Sequence, residues 1–494
     1  MILTKTDFIV FLDAPRHLWA IKNNRLTKKE IGTFLQHLFE QGYEVEELAE
    51  QYIKDILVPQ YKVTQEKFLF QPTCIDGLFE ARADALIFNS ISSKWDIYEI
   101  KSTNDISKQH KYDATFQYLV FNKKYEIGDI YILHLNKEYC RRGDLNLKEL
   151  FKITNINEDI EKLKEEVNQL RFEALEVMQL EDYKQALACI KPKECPCPDL
   201  CHTDLPEYSI YDICGFTGSV KKVRELESLG IKSIYDIPKT FDLAPSYRRQ
   251  VDVAQSGVVF FDKEYIQNDL NGIEFPIYFI DYESYNPAIP QYDGYKPYDQ
   301  IPFQWSLHIQ REKGGGLEHY EFIETEAIDP IPNFLNSLSG VIGNTGSIVV
   351  WNKSFEGKQN ERMGEIHPEF KELCENMNGR IYDLMDIFQG GYYADPKCKG
   401  SYSIKKVLPV LVPELSYHGM EIGDGATAMS SWKEMVFGSL PEIEKVTIKN
   451  NLLKYCELDT MAMVRIYEFL VTKIFEQVLV EQKAFTFEPR ATEI

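Results

Sequence analysis

The stretch from Phe275 to Tyr285 constrains this chain most. Aromatic and β-branched residues dominate from Phe275 to Ile280 and read as a strand buried on both faces. The strand ends in Asp281-Tyr282-Glu283. A period of two puts both acids on one face, with Cα atoms roughly 6–7 Å apart. Two carboxylates at the mouth of an apolar strand are costly to desolvate unless positive charge sits between them. A pair of divalent ions is the usual remedy. A strand end with two solvated acids is the plain alternative, so the rest of the chain has to decide.

More acids follow at suitable places. Ser347 to Trp351 is a second buried strand, and Asn352-x3-Glu356 after it brings a third carboxylate toward the first two. Ile381 to Asp386 is a strand or helix start carrying Asp383 and Asp386. Leu453 to Asp459 opens a helix that continues through Met461, Val464 and Tyr467. Tyr455 and Asp459 are four apart and share a helix face. Core packing does not require three acids from separate elements plus a tyrosine. Lys397, Lys399, Lys405 and Lys406 are either phosphate contacts or a solvated loop.

The N-terminal part carries a second constellation. Residues 1–60 read as helical, with Ile31, Phe34, Leu35, Leu38 and Phe39 at helical spacing and His37 beside Glu40. Alone, His37 is an ordinary core histidine. From Tyr61 to Leu135 strands alternate with turns and one helix. Asp84 enters one strand, and Trp95 to Lys101 forms the next, where Glu99 and Lys101 share a face. The acids suit Mg²⁺ or Mn²⁺, which lowers the pKa of bound water. Lys101 can orient that water or meet phosphate charge. A helix around Gln109 to Phe121 brings Gln117 toward the same place. Asn157 then starts a packing helix with an apolar stripe at Ile160, Leu163, Val167, Leu170, Ala174 and Val177.

Four thiols follow within a short span, at Cys189, Cys195, Cys197 and Cys201. Pro192, Pro196 and Pro198 keep the segment from regular helix. Four thiolates suit a [4Fe–4S] cluster or a structural Zn²⁺, and spacing does not separate them. Val220 to Pro238 reads as helix, turn and short helix, either a helix-hairpin-helix with Lys221, Lys222, Arg224 and Lys232 or a plain spacer.

Asp84 and Glu99-x-Lys101, with Gly32-x4-His37-x2-Glu40 upstream and Gln117 downstream, resemble the PD-(D/E)xK fold of RecB-like and CRISPR-associated nucleases. That resemblance implies His37, Asp84 and Glu99 as metal ligands, Lys101 as the catalytic lysine and Gln117 as a helper. The family often has a tyrosine where this chain has Phe121. Its iron–sulfur members take one cysteine from near the N-terminus and three from after the nuclease core. Here Ala14-Pro15-Arg16-His17 stands where Cys-Pro is usual. A cluster would then use all four local cysteines or one ligand that is not cysteine. The C-terminal constellation is similar to DnaQ-like 3′→5′ exonucleases of the DEDDy type. That likeness implies Asp281, Glu283, Glu356 and Asp459 as the acids and Tyr455 as the residue orienting the attacking water. Glu356 stands where aspartate is usual. The order of modules resembles a bacterial family of bifunctional nucleases over most of the chain.

The expected fold class is α/β and multi-domain, an α+β nuclease module plus an RNase H-like exonuclease module. The expected boundaries are 1–155 for the PD-(D/E)xK domain and 156–205 for the helix and cysteine cluster. Residues 206–272 are expected as a helical linker, 273–475 as the exonuclease domain and 476–494 as a tail. The expected function is hydrolysis of phosphodiesters in DNA, or else RNA, at two metal-dependent sites. The alternatives are a nucleic-acid-binding scaffold with inactive sites, and a chain in which only the exonuclease works. A net charge of −22 argues against binding through a generic basic surface. With no apolar run of membrane-spanning length and ten cysteines, the expected location is cytoplasmic, without membrane contact.

Overall fold

The computed structural model describes residues 1–26, 33–61 and 67–485. Gly32 and Ile31 lie outside the described residues, as does the end of the expected tail. The chain forms two compact units, one of Met1–Leu205 with Asn286–Asp299 and one of Pro206–Tyr285 with Gln300–Ile494. The helix and cysteine segment is therefore part of the first unit, and the expected linker is part of the second.

The first unit opens with α1 (Lys5–Asp13), α2 (Pro15–Lys22) and α3 (Thr33–Tyr52). Its sheet runs in chain order through β1 (Phe68–Phe70), β2 (Ala85–Asn89), β3 (Lys94–Lys101), β4 (Ile127–Leu135) and β5 (Phe151–Asn155). All neighbours are antiparallel except β3 and β4. A parallel pair needs a crossover, and α4 (Lys108–Phe121) supplies it. This puts the acid and lysine of β3 beside the face of α4. Leu86, Ile97, Phe116, Val120 and Ile132 fill the core between α4 and the sheet. The far face packs on α3 through Val45, Ala49, Ile53, Ala85, Ile87 and Leu133.

The long helix α5 (Asn157–Gln179) buries Ile160, Val167 and Ala174 as its stripe requires. Asn157 does not cap it. Its side chain instead accepts from the Ile130 backbone N–H at 2.9 Å. The prolines of the cysteine segment do not exclude helix altogether, because Pro198 sits in the first turn of α6 (Pro198–Cys201), where its missing N–H costs nothing.

The second unit contains α7 (Val220–Ser228) and α8 (Pro245–Ser256), then β6 (Ile277–Tyr285), β7 (Ile301–Gln310), β8 (Leu317–Ile323) and β9 (Ser347–Val350). After these come α9 (Lys353–Ile366), β10 (Ile381–Asp383), α10 (Ile404–Leu411) and α11 (Glu442–Phe485). The sheet order is β8-β7-β6-β9-β10. β7 runs antiparallel to both β6 and β8, and β9 and β10 continue parallel to β6. The strand with the two acids is thus central. Ile277, Tyr278, Phe279 and Ile280 are all buried, and burying each such side chain contributes about 1.5–3 kcal/mol. Gly346, with φ of 86°, lets β9 start there, because a Cβ would meet the Pro276 carbonyl oxygen at 2.0 Å.

The helix of Tyr455 and Asp459 does not open at Leu453. It starts at Glu442 and continues past the expected boundary at 475 to Phe485. It packs across β6, β7 and β8.

Candidate metal and catalytic sites

β6 carries Asp281 and Glu283 on one face, and α11 brings Asp459 to them. One oxygen from each of the three carboxylates lies within 4.8 Å of the others. Glu356 joins from the first turn of α9, where Asp383 accepts from the Lys353 backbone N–H at 2.8 Å and anchors the helix start. Glu356 is buried, and its Oε2 has no hydrogen-bond partner among the described residues.

Crowding and burial raise all four carboxyls above the ordinary range. Asp281 rises by burial and by the charges of Asp459, Glu283 and Glu356. Burial and Asp459 push Glu283 to about 8, against the pull of Lys405. Burial lifts Glu356 to about 8. Asp459 reaches only about 6, because burial is offset by the hydroxyl of Tyr417, by Lys405 and by Tyr455.

Three neighbours complete this site. Tyr417 donates to Asp459 Oδ1 at 2.5 Å. Lys405, on α10, donates to the Tyr455 hydroxyl oxygen at 2.9 Å and to the Gly423 carbonyl at 2.8 Å. The Cys456 thiol faces Asp281 at 3.7 Å. Tyr417 and Cys456 are not singled out by any sequence pattern. Lys405 was visible only as one of several loop lysines.

In the first unit, Asp84 sits just before β2 and accepts from the Ile100 backbone N–H at 2.7 Å. Burial and the charge of Glu99 push it to about 8. Glu99 Oε1 takes two ammonium groups, Lys101 and Lys5, both at 2.7 Å. Burial would raise Glu99, but the two lysines hold it well below the usual carboxylate range. Lys101 also meets Asp113 Oδ2 at 2.5 Å. Gln117 donates to Asp113 Oδ1 at 3.4 Å, so it belongs to this network. Glu99 Oε2 and Gln117 Oε1 are buried without a hydrogen-bond partner among the described residues.

Lys5 and Asp113 complete the group and were not anticipated. Asp113 had a signal, being four residues before Gln117 on one helix face. Lys5 had none. His37 is buried, with Nε2 at 2.6 Å from the Gln41 side-chain nitrogen. Among the described residues His37, Asp84 and Glu99 do not form one ligand set. Asp84 and Glu99 stand as a coupled acid pair, with Lys101 and Lys5 seated on Glu99.

The cysteine segment gathers around a ligand that is not cysteine, one of the two arrangements left open by the sequence. His17, Cys189, Cys195 and Cys201 form the set whose ligand atoms lie within 4.8 Å of one another. Cys197 is outside it but has its Sγ 3.8 Å from that of Cys201. His17 comes from the segment where the N-terminal cysteine was missing, and Cys197 stays beside the group through Cys201. Its Nδ1 lies 2.8 Å from Asp13 Oδ2, which fixes the ring and leaves Nε2 toward Cys195 at 3.4 Å. A carboxylate behind a histidine is the usual support of a metal-bound imidazole.

Residues 278–403 match the model of a family described as a domain of unknown function (DUF2779). That segment holds Asp281, Glu283 and Glu356, and it stops short of Asp459. Uncharacterized protein UU173 of Ureaplasma parvum serovar 3 is 27% identical over 307 residues, 56% of this chain and 42% of its own. Uncharacterized protein MG366 of Mycoplasma genitalium is 26% identical over 239 residues, 45% of this chain and 35% of its own. The chain thus spans less than half the length of these relatives. A crystal structure of SSO0001 matches 41% of this chain and 86% of its own at 14% identity, with a TM-score of 0.25.

Among the described residues no helix is long and apolar enough to cross a membrane.

Proposed function

We propose that the second unit is a divalent-metal-dependent phosphodiesterase that digests nucleic acid from a 3′ end, as its likeness to DEDDy exonucleases implies. The observation that carries this is the meeting of Asp281, Glu283 and Asp459 oxygens within 4.8 Å. Glu356 adds a fourth buried carboxyl with an unpartnered oxygen. So many buried carboxyls beside one nearby ammonium group are a donor set that fits Mg²⁺ or Mn²⁺. Such ions, when bound, activate water and neutralise phosphate charge. The protein's own part is positioning. Asp281 and Glu283 are fixed by the central strand, Asp459 by α11 and Tyr417, and Tyr455 by Lys405. The Tyr455 hydroxyl, its oxygen already accepting from Lys405, keeps its proton to donate toward the attacking water or a phosphate oxygen.

In the first unit the group of Asp84, Glu99, Lys101, Asp113 and Gln117 supports a second phosphodiesterase site of PD-(D/E)xK type. The unpartnered oxygens of Glu99 and Gln117 favour it. A second reading is a nucleic-acid-binding module without chemistry, favoured by the two ammonium groups already seated on Glu99. For the thiol centre, ligand spans within 4.8 Å suit one tetrahedral ion, whose sulfurs stand about 3.8 Å apart at a 2.3 Å Zn–S distance. The spread-out corners of a [4Fe–4S] cluster are the alternative. A brown, visible-absorbing protein after anaerobic purification identifies the cluster, and colourless protein with bound zinc identifies the ion.

The test of function is digestion of 3′- and 5′-labelled single- and double-stranded DNA and RNA with Mn²⁺. Wild type, Lys101→Ala and Asp281→Ala are run side by side. The two-site reading requires each variant to lose a different part of the product ladder. No cleavage by wild type with any metal would leave the scaffold reading.

A further inference from the structure

A third ligand set lies against the same helix, on the sheet face that also carries the acids. His308 on β7, His319 on β8 and Glu457 on α11 each place a ligand atom within 4.8 Å of the others. His308 and His319 are direct cross-strand partners in the antiparallel ladder, where opposite Cβ atoms are about 4.5–5.5 Å apart. Their rings stack with centroids 4.4 Å apart. Glu457 comes down from the helix, its Oε1 3.9 Å from His319 Nδ1.

The hydrogen bonds behind the rings allow an arrangement in which a nitrogen of each ring is left to bind. His319 Nε2 is 3.0 Å from Ser306 Oγ, and His308 Nδ1 is 2.8 Å from Thr460 Oγ1. The two hydroxyls meet at 2.9 Å, and Thr460 donates onward to the Glu457 carbonyl at 3.0 Å. A proton assignment consistent with all these contacts is available. His319 Nε2–H donates to Ser306, Ser306 and His308 Nδ1–H donate to Thr460, and Thr460 donates to the backbone. That leaves lone pairs on His319 Nδ1 and His308 Nε2, and no described hydrogen bond uses the latter.

We infer that His308, His319 and Glu457 bind a borderline-soft divalent cation of the Zn²⁺ class. Two imidazoles and one carboxylate are a zinc donor set that leaves a position for water. Imidazole nitrogen selects Zn²⁺ over Mg²⁺, so this site differs in preference from the all-oxygen set around Asp281. Ring nitrogens on one tetrahedral ion stand roughly 3.4 Å apart. His319 and Glu457 have side-chain exposures of 26% and 46%, enough freedom to close the span and a route in from solvent. His308 is buried and serves as the fixed ligand. Such an ion clamps α11 to the β7–β8 hairpin.

The test is zinc stoichiometry of the full chain, measured in parallel for wild type, His319→Gln and Glu457→Gln. Other zinc-binding groups are common to all three and cancel. The expected result is one equivalent fewer in each variant, with unchanged unfolding temperature in EDTA and a smaller zinc-induced rise than in wild type. Ser306→Ala, which removes only the hydroxyl behind His319, should weaken this equivalent about 10–100-fold. Equal stoichiometry and equal zinc-induced stabilisation in wild type and both ligand variants would overturn the inference. Absence of nuclease activity would not bear on it.

Discussion

Lys405 and Tyr455 form a polar contact that ties α10 to the catalytic face of α11, ammonium to phenolic oxygen at 2.9 Å. The same ammonium draws down the carboxyls of Glu283 and Asp459. Replacing Lys405 by Met should lower Mn²⁺-dependent 3′ digestion on the order of 10²-fold. It should also move metal binding to higher pH, since the carboxyls must lose protons to bind. Activity and Mn²⁺ affinity measured across pH check both. Unchanged profiles would reduce Lys405 to a packing residue.

Asp281→Asn and Asp459→Asn should abolish 3′ digestion and yet stabilise the metal-free protein. At alkaline pH, where the crowded carboxyls have lost their protons, each removes one of several like charges without changing side-chain shape. The expected signature is a higher melting temperature in EDTA with loss of the Mn²⁺-induced rise. A lower melting temperature in EDTA for both would mean that these carboxyls are held by partners and do not repel.

The acid site also sets a pH dependence. Glu283 and Glu356 are pushed up to about 8 and Asp459 to about 6, against about 4 in the unfolded chain. The folded protein holds these protons where the unfolded chain has released them. Their stabilisation is therefore full below about pH 4 and is lost as pH rises toward 8. In EDTA the melting temperature should fall across that window, at about 2–4 °C per kcal/mol. Saturating Mg²⁺ should flatten the fall. A flat profile without metal contradicts the assignment.

In the first unit, Lys101→Ala should leave Glu99 paired with Lys5 and the fold intact, while any activity of that site disappears. The double variant Lys5→Ala/Lys101→Ala leaves a buried carboxylate without a cation and should cost about 3–5 kcal/mol. Thermal unfolding of the three proteins separates the roles. Equal losses in single and double variants would show that Lys5 contributes nothing.

At the thiol centre, His17→Ala should release the bound metal, whereas Asp13→Asn should retain it with about 10–100-fold weaker affinity. Metal content after dialysis against a graded chelator reads both. Full retention in His17→Ala would return the ligand role to Cys197.

Local periodicity explains what the sequence could reveal. Asp281 and Glu283 follow from a period of two, Tyr455 and Asp459 from a spacing of four, and Asp113 could have followed from its distance to Gln117. Long-range pairings were silent. The register that sets His308 opposite His319 depends on a hairpin, and the arrival of His17 beside Cys195 spans 178 positions. Tyr417 reaches Asp459 from a loop with no regular pattern. For His37, the motif spacing gave no sign of Gln41, its neighbour one turn along the same helix.

The excursion of Asn286–Asp299 into the first unit has a practical consequence for dissecting the protein. Ala288 and Ile289 from that short loop are buried in the same cluster as Val45, Tyr52, Ile53 and Leu133. Arg141 is held by the Pro290 and Gln291 carbonyls. A fragment ending at Leu205 would lack those fillers and expose part of its apolar interior. Cloning the two halves as separate contiguous pieces would therefore yield an N-terminal piece with an unfinished core, and a fused copy of the loop would be needed to seal it.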